Sequence, residues 1–183
     1  MSKHTTKQER IEKFRTLFSA VYPTKVHERL CDELDKMYFF DAPASTKYHG
    51  NYRGGLFDHS YEVTNALLKL TDKLNLHWQR PESPYLVGML HDLCKADQYE
   101  YDTATSEWKW KKNLVLNGHG EKSVILAQTL MELTEEEILC IRWHMGAYDN
   151  KENWDNLGAA IELYPNVLYS HTANMIASRV IGI

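Results

Sequence analysis

Five groups of residues could do chemistry together in this chain: His59, the pair His91-Asp92, His119, His144, and a final cluster of His171 and Asn174. They are separated by 32 residues (59 to 91), 27 (92 to 119), 25 (119 to 144) and 30 (144 to 174). Each gap is the length of one helix plus one connection. Imidazole and carboxylate donors delivered one per helix can converge in a bundle core. Together they suit divalent transition metals. The ordered set reads as a helical metal-dependent hydrolase. Each residue alone has a plainer role. His59 would be a surface residue in a helix first turn, His119 a polar cap, and His144 a dipole partner at a helix C-terminus. The regular spacing of all of them favours the metal reading.

His91-Asp92 is the sharpest local feature. Val87, Met89 and Leu90 precede it and Leu93 follows. A charged Asp in that apolar setting needs a metal or partner to offset its burial. Its two oxygens could serve one metal each. Lys95 lies three residues past Asp92 and four past His91, on the same helix face. It could contact a phosphate oxygen and stabilise developing charge, or simply snorkel to solvent. Tyr48, His49, Tyr52 and Arg53 lie just ahead of His59 and could contact a nucleotide or pack the loop. Trp108 and Trp110 could stack a base, although such stripes more often pack on the protein body.

The elements that must position these residues are helical. Residues 7–20 carry Ile11, Phe14, Leu17 and Phe18 at helical spacing, and residues 25–40 carry Val26, Leu30, Leu34 and Met37. Residues 41–55, with Pro43, Gly50, Gly54 and Gly55, read as a loop. A helix is expected over 56–76. The next starts near Pro84 and runs through Leu90 to Cys94. Glu107 to Lys111 alternates at period two behind a Thr105-Ser106 turn, which predicts a small hairpin. Residues 119–132 return to helix. Thr134 and Glu137 form a capping-box signature for the helix ending at Trp143. Residues 154–163 and 166–180 are the last two helices, divided by Pro165. The class is all-α with a minor β-hairpin.

The composition sets limits. The chain has 183 residues, 43 % hydrophobic and 25 % charged, enough for one packed core. No apolar run approaches the ~20 residues of a membrane span. Residues 1–6 hold no apolar core, so no secretory leader is expected. A net charge of −4 argues against an extended nucleic-acid footprint but admits a small anionic substrate. The three cysteines, Cys31, Cys94 and Cys140, are widely spaced. They fit buried thiols in a reducing cytoplasm.

These motifs resemble the HD-domain metal-dependent phosphohydrolase superfamily, over roughly residues 40–180. The resemblance rests on Gly54-Gly55-Leu56 leading into His59, on His91-Asp92-Leu93-Cys94-Lys95, on His119 and His144, and on His171-Thr172-Ala173-Asn174. It is nearest to small stand-alone HD hydrolases of bacteria and their phages. It extends to the HD parts of a 3′–5′ exoribonuclease family and of HD-GYP phosphodiesterases. The resemblance implies an HD-type helical bundle with a metal-binding core at 41–180; with no linker long enough to divide the chain, residues 1–183 are expected to form a single domain with N-terminal helices at 1–40. It implies two metals. His59, His91 and Asp92 would hold the first, and Asp92 would bridge to a second completed by His119 and His144. A hydroxide between the metals would attack phosphorus, with Asp92 and Lys95 as the catalytic pair. The ions would be Mn, Fe, Zn, Ni or Co, with Mg admissible.

One position departs from the pattern. The family ends in an Asp that closes the first metal site, and Asn174 stands there. A neutral amide oxygen binds metal more weakly, and nearby His171 could assist. The expected substrate is a nucleotide or small phosphoester, contacted by Lys95, Tyr48, His49 and Arg53. The alternatives are exonuclease action on short single strands and a catalytically silent nucleotide-binding regulator. Homo-oligomerisation stays open.

Overall fold

Thr6 starts the first helix. Its hydroxyl accepts from the Glu9 amide while the Glu9 carboxylate takes the Thr6 amide, a capping box that opens α1 (Lys7–Phe18). In this computed structural model, which describes residues 5–47, 50–116 and 118–183, α1 delivers Phe14 and Phe18 to the core, stacked 4.3 Å apart. The helix α2 (Thr24–Lys36) adds Leu30, Cys31 and Leu34. Phe40 and Phe57 complete an aromatic cluster, Phe40 lying 5.8 Å from Phe14 and 5.3 Å from Phe57.

The helix α3 (Gly55–Leu74) is pinned at its start. Gly54 has φ +86, and a Cβ there would fall 2.0 Å from the Arg10 guanidinium carbon. Only glycine allows both. Buried Arg10 donates to the Arg53 carbonyl at 2.9 Å and to Asp58 at 3.3 Å, tying α1 to α3. α3 packs closely on α4 (Ser83–Leu90) at Gly88, where a Cβ would lie 2.6 Å from the Thr64 Cα.

The helix expected to run through Cys94 is interrupted. α4 stops at Leu90, and a short α5 (Cys94–Gln98) follows. Across this junction and into α5 the amides of Leu93, Lys95 and Ala96 bond to carbonyls three residues back, not four. The Gly88 carbonyl, the α-helical acceptor for the Asp92 amide, is given over to the His91 ring at 2.9 Å. The ladder tightens there and turns His91 and Asp92 toward one place.

The hairpin forms as expected, from β1 (Tyr99–Asp102) and β2 (Glu107–Trp110). Tyr99 pairs with Trp110 and Tyr101 with Trp108, so one face is aromatic. α6 (Gly120–Leu130) begins right after His119. α7 (Glu135–Arg142) starts with the Thr134–Glu137 capping box. Buried Glu137 also takes Arg80 at 2.7 and 2.8 Å and the Ser83 hydroxyl at 2.8 Å, which fixes α7 against the start of α4. α8 (Trp154–Leu163) and α9 (Asn166–Met175) flank Pro165. The final helix does not continue unchanged. It widens into a π-helix over Ile176–Ile181, closed by the Gly182 amide reaching the Ala177 carbonyl at 2.9 Å. The architecture is all-α with one two-stranded hairpin. No helix among the described residues is long and apolar enough to cross a membrane.

Candidate metal centre

The carboxylate of Asp92 is the hub. Its Oδ2 lies 3.5 Å from His59 Nε2, 3.3 Å from His91 Nε2 and 2.6 Å from Lys95 Nζ. Its Oδ1 lies 2.8 Å from His119 Nε2 and 3.4 Å from His144 Nε2. His59, His91, Asp92 and His144 are buried, and His119 is part-exposed. Helix α3 supplies His59 and the α4–α5 turn supplies His91 and Asp92. The N-terminus of α6 supplies His119, and the chain just past α7 supplies His144.

Three of the imidazoles are held the same way. His59 Nδ1 donates to the Ile183 carbonyl at 2.7 Å, His91 Nδ1 to Gly88 at 2.9 Å and His144 Nδ1 to Ile141 at 2.7 Å. A carbonyl can only accept, so in the neutral rings the proton sits on Nδ1 and the Nε2 lone pair points inward. The Nε2 atoms of His59 and His91 face each other at 3.3 Å. His144 Nε2 is buried with no hydrogen-bond partner. Lone pairs crowded around a carboxylate are mutually repulsive unless cations sit among them. Metal–nitrogen bonds of about 2.0–2.1 Å place adjacent ligand atoms roughly 3 Å apart, which this spacing fits.

Electrostatics agree with neutral rings and an ionised hub. Burial holds the His59, His91 and His119 imidazoles below the usual histidine range, His59 furthest. Burial pushes the Asp92 carboxyl up, but Lys95, His91 and His119 outweigh it and keep the group well below the usual carboxylate range.

His119 is held differently. Its Nδ1 meets the Cys94 thiol at 3.1 Å. A thiol can donate or accept, so this ring's tautomer is not fixed by the backbone. Its contact with Asp92 Oδ1 is a hydrogen bond only when Nε2 carries the proton. Asp92, Cys94 and His119 also form a second set of donor atoms within 4.8 Å of one another, beside the set of His59, His91 and Asp92. Cys94 and Asp92 meet opposite nitrogens of His119, so Cys94 lies behind the ring. Burial drives the Cys94 thiol up to about 12.

Asn174 lies at the edge of the cluster, its Nδ2 3.4 Å from the His144 carbonyl. His171 Nδ1 donates to the same carbonyl at 2.9 Å, so both brace the backbone that carries His144. A cavity of about 120 Å³ opens at Asp92, Lys95 and His119 and is lined as well by Asn174, Ser178 and Arg179. Arg53 lies elsewhere. It pairs with Asp41 at 2.8 Å and lines a neighbouring cavity with Tyr52 and Trp108. Tyr48 and His49 lie outside the described residues.

Sequence reasoning missed Cys94 as more than a core thiol, and it missed Tyr148 and Arg179. The position of Cys94, two residues past Asp92, was the available signal. For Arg179 there was none, because its place depends on the π-helix. The tryptophans fall into two environments. Trp108 packs against the core, whereas Trp110 is 55 % exposed. A second cavity of about 400 Å³ is walled by Tyr38, Tyr99, Tyr101 and Trp108, with Ala96 and Lys111 at its edge.

Comparison with known proteins agrees with this geometry. The family model for the HD domain matches residues 56–175. The chain is also similar to the dihydroneopterin 2′,3′-cyclic phosphate phosphodiesterase of Methanocaldococcus jannaschii, 36 % identical over 62 residues that cover 32 % of this chain and 25 % of that protein. The similarity thus spans about a quarter of that relative's length. No solved structure gives a significant match. With the HD model covering most of the chain, and His59, His91, Asp92, His119 and His144 inside the matched span, the protein belongs to the HD-domain family.

Proposed function

We propose that this protein is a metal-dependent phosphohydrolase that cleaves a nucleotide or small phosphoester at the Asp92 cluster. The observation that carries the reading is the inward set of Nε2 lone pairs of His59, His91 and His144 around both oxygens of one buried carboxylate, with His119 Nε2 2.8 Å from the same group. His59 and His91 would hold one divalent ion with Oδ2. His119 and His144 would hold another with Oδ1, and Asn174 would stand at the edge. Such ions supply an acidified water as nucleophile and neutralise phosphoryl charge. The chain's own residues do the rest. The Nδ1–H bonds to carbonyls aim the rings. Lys95 offers its ammonium to a phosphoryl oxygen, and the surrounding apolar wall excludes bulk water.

The class of relative supports a small phosphodiester or monoester. By its name, the Methanocaldococcus jannaschii protein is a phosphodiesterase acting on dihydroneopterin 2′,3′-cyclic phosphate. A nucleotide is favoured by the aromatic cavity, because α5 carries Lys95 into the metal cavity and Ala96 into the aromatic one. We read residues 1–183 as a single domain, since Arg10 ties α1 to the start of α3. The buried free cysteines fit a reducing cytoplasm. The metal is a divalent ion of the Mn, Fe, Co, Ni, Zn or Mg set, chosen by availability.

One feature favours a second reading, a catalytically silent nucleotide-binding regulator. Asn174 is neutral where the family pattern has an anion. Elemental analysis beside a screen of nucleotides and a generic phosphodiester, with each of these metals, separates the two. Turnover that disappears in Asp92→Ala supports the hydrolase. Metal and nucleotide binding without turnover, with turnover gained in Asn174→Asp, supports the regulator. A protein that binds no divalent metal sinks both.

A further inference from the structure

The end of α9 and the π-helix that follows it line the metal cavity. Asn174 and Ser178 are four residues apart, as are Met175 and Arg179, and both pairs line it. π-helical turns are rare and gather at functional sites. This one is anchored at its end to the metal centre itself, because the Ile183 carbonyl accepts from His59 Nδ1 at 2.7 Å. The wall therefore cannot shift without disturbing a candidate ligand.

Charge accounting around the cavity singles out Arg179. Lys95 is engaged with Asp92 at 2.6 Å, and His119 Nε2 faces the other oxygen of the same carboxylate at 2.8 Å. The nearby Arg142 is paired with Glu121 and Asp149, which also commits the acid next to Tyr148. The Ser178 hydroxyl donates to the Asn174 carbonyl at 2.8 Å. Among the described residues, Arg179 is the cation on this cavity with no carboxylate partner. Its guanidinium is seated 5.8 Å from the centroid of the Tyr148 ring, which holds it without using its donors.

We propose that Arg179 is the phosphate-recognition residue of this protein, gripping two phosphoryl oxygens in the cavity that Lys95 also lines. A planar guanidinium presents paired donors at the spacing of two phosphate oxygens. The cavity, about 120 Å³, is well below the ~300 Å³ of a site that encloses a whole ligand. It accepts a phosphoryl group and leaves the remainder of the substrate outside, past Tyr148. The substrate class is therefore a phosphoester whose phosphorus is sterically open, at a chain end or in a small ring. This rests on the phosphohydrolase reading for the reaction, but the recognition itself does not need turnover.

The test is a calorimetric titration of the metal-loaded protein with inorganic phosphate. Arg179→Ala should weaken phosphate binding by about ten- to hundredfold, with Arg179→Lys in between. Metal content and thermal midpoint should match the parent, as should phosphate binding by a Val180→Ala control on the exposed side of the same turn. Arg179→Ala should also raise KM far more than it lowers kcat. Phosphate affinity unchanged in Arg179→Ala, or no phosphate binding by the parent protein, overturns the proposal. Arg179-dependent phosphate binding without turnover of any phosphoester would leave it standing and remove the hydrolase reading. Asp92-dependent turnover that ignores Arg179 would do the reverse.

Discussion

Lys95 Nζ lies 2.6 Å from Asp92 Oδ2, the carboxylate oxygen that also faces the Nε2 atoms of His59 and His91. The ammonium and a divalent ion thus compete for one oxygen. Lys95→Met should lower the stability of the metal-free protein by about 2–4 kcal/mol, because a buried carboxylate loses its partner. The same change should tighten metal binding, by about fivefold or more, because the competitor is gone. Chemical denaturation of chelated protein and titration with a fluorescent metal indicator check the two halves. Metal binding that is unchanged or weaker contradicts the competition.

The two oxygens of Asp92 face different pairs of histidines. His119→Ala or His144→Ala should therefore bring metal content down toward a single ion per chain, whereas Asp92→Ala should remove nearly all of it. Cys94→Ala should act only on the ion beside His119, weakening it by about tenfold through loss of the ring's rear support. Elemental analysis after extensive dialysis distinguishes the three patterns. Equal loss in every variant would mean that the pairs do not act separately.

Acid should destabilise the metal-free protein, and the sign follows from the rings. His59, His91 and His119 sit below the usual histidine range when folded, first because of burial. Once the pH drops below about 6.5, the unfolded chain takes up protons that the folded one refuses, so stability falls. Asp92, also depressed, adds a further loss as the pH passes down through the usual carboxylate range. Thermal midpoints of chelated protein between about pH 7.5 and 5.5 should decline steadily. A level or rising midpoint would count against neutral, buried rings.

Gly88 sets the spacing between the helices that carry His59 and His91. A methyl group there would meet the Thr64 backbone at 2.6 Å. Gly88→Ala should cost about 1–3 kcal/mol by overpacking. It should also weaken metal binding, because the displaced α4 carries the carbonyl that orients His91. Matched denaturation and metal titrations test this. A destabilised variant with normal metal affinity would show that the spacing matters to packing alone.

The one-per-helix rhythm of His59, His91, Asp92, His119 and His144 and the capping-box start at Thr134 are local signals, and the four histidines do lie around the Asp92 carboxylate. Thr134 and Glu137 cap α7 as their spacing predicts, and Pro165 divides the last helices where expected. Three things were not legible. The break after Leu90 depends on a side chain capturing its own helix's carbonyl. The π-helix depends on the register in which Ile176–Ile181 meets the rest of the fold. The grouping of Cys94 with His119 spans 25 residues and exists only after α5 and α6 pack. Periodicity reports which face of a helix is apolar. It does not report which backbone acceptors are already taken.

The three carbonyl-latched imidazoles have a consequence for how the protein lives with its ions. A zinc finger is unfolded until its metal arrives, so loading and folding are one event. Here the cage is cut to shape by Gly88, Ile141 and Ile183 beforehand. Stripping the ions with a chelator should leave the helical circular dichroism nearly untouched, and refilling should be quick and reversible. The identity of the occupant then follows the metal supply of the moment, not the one present at synthesis.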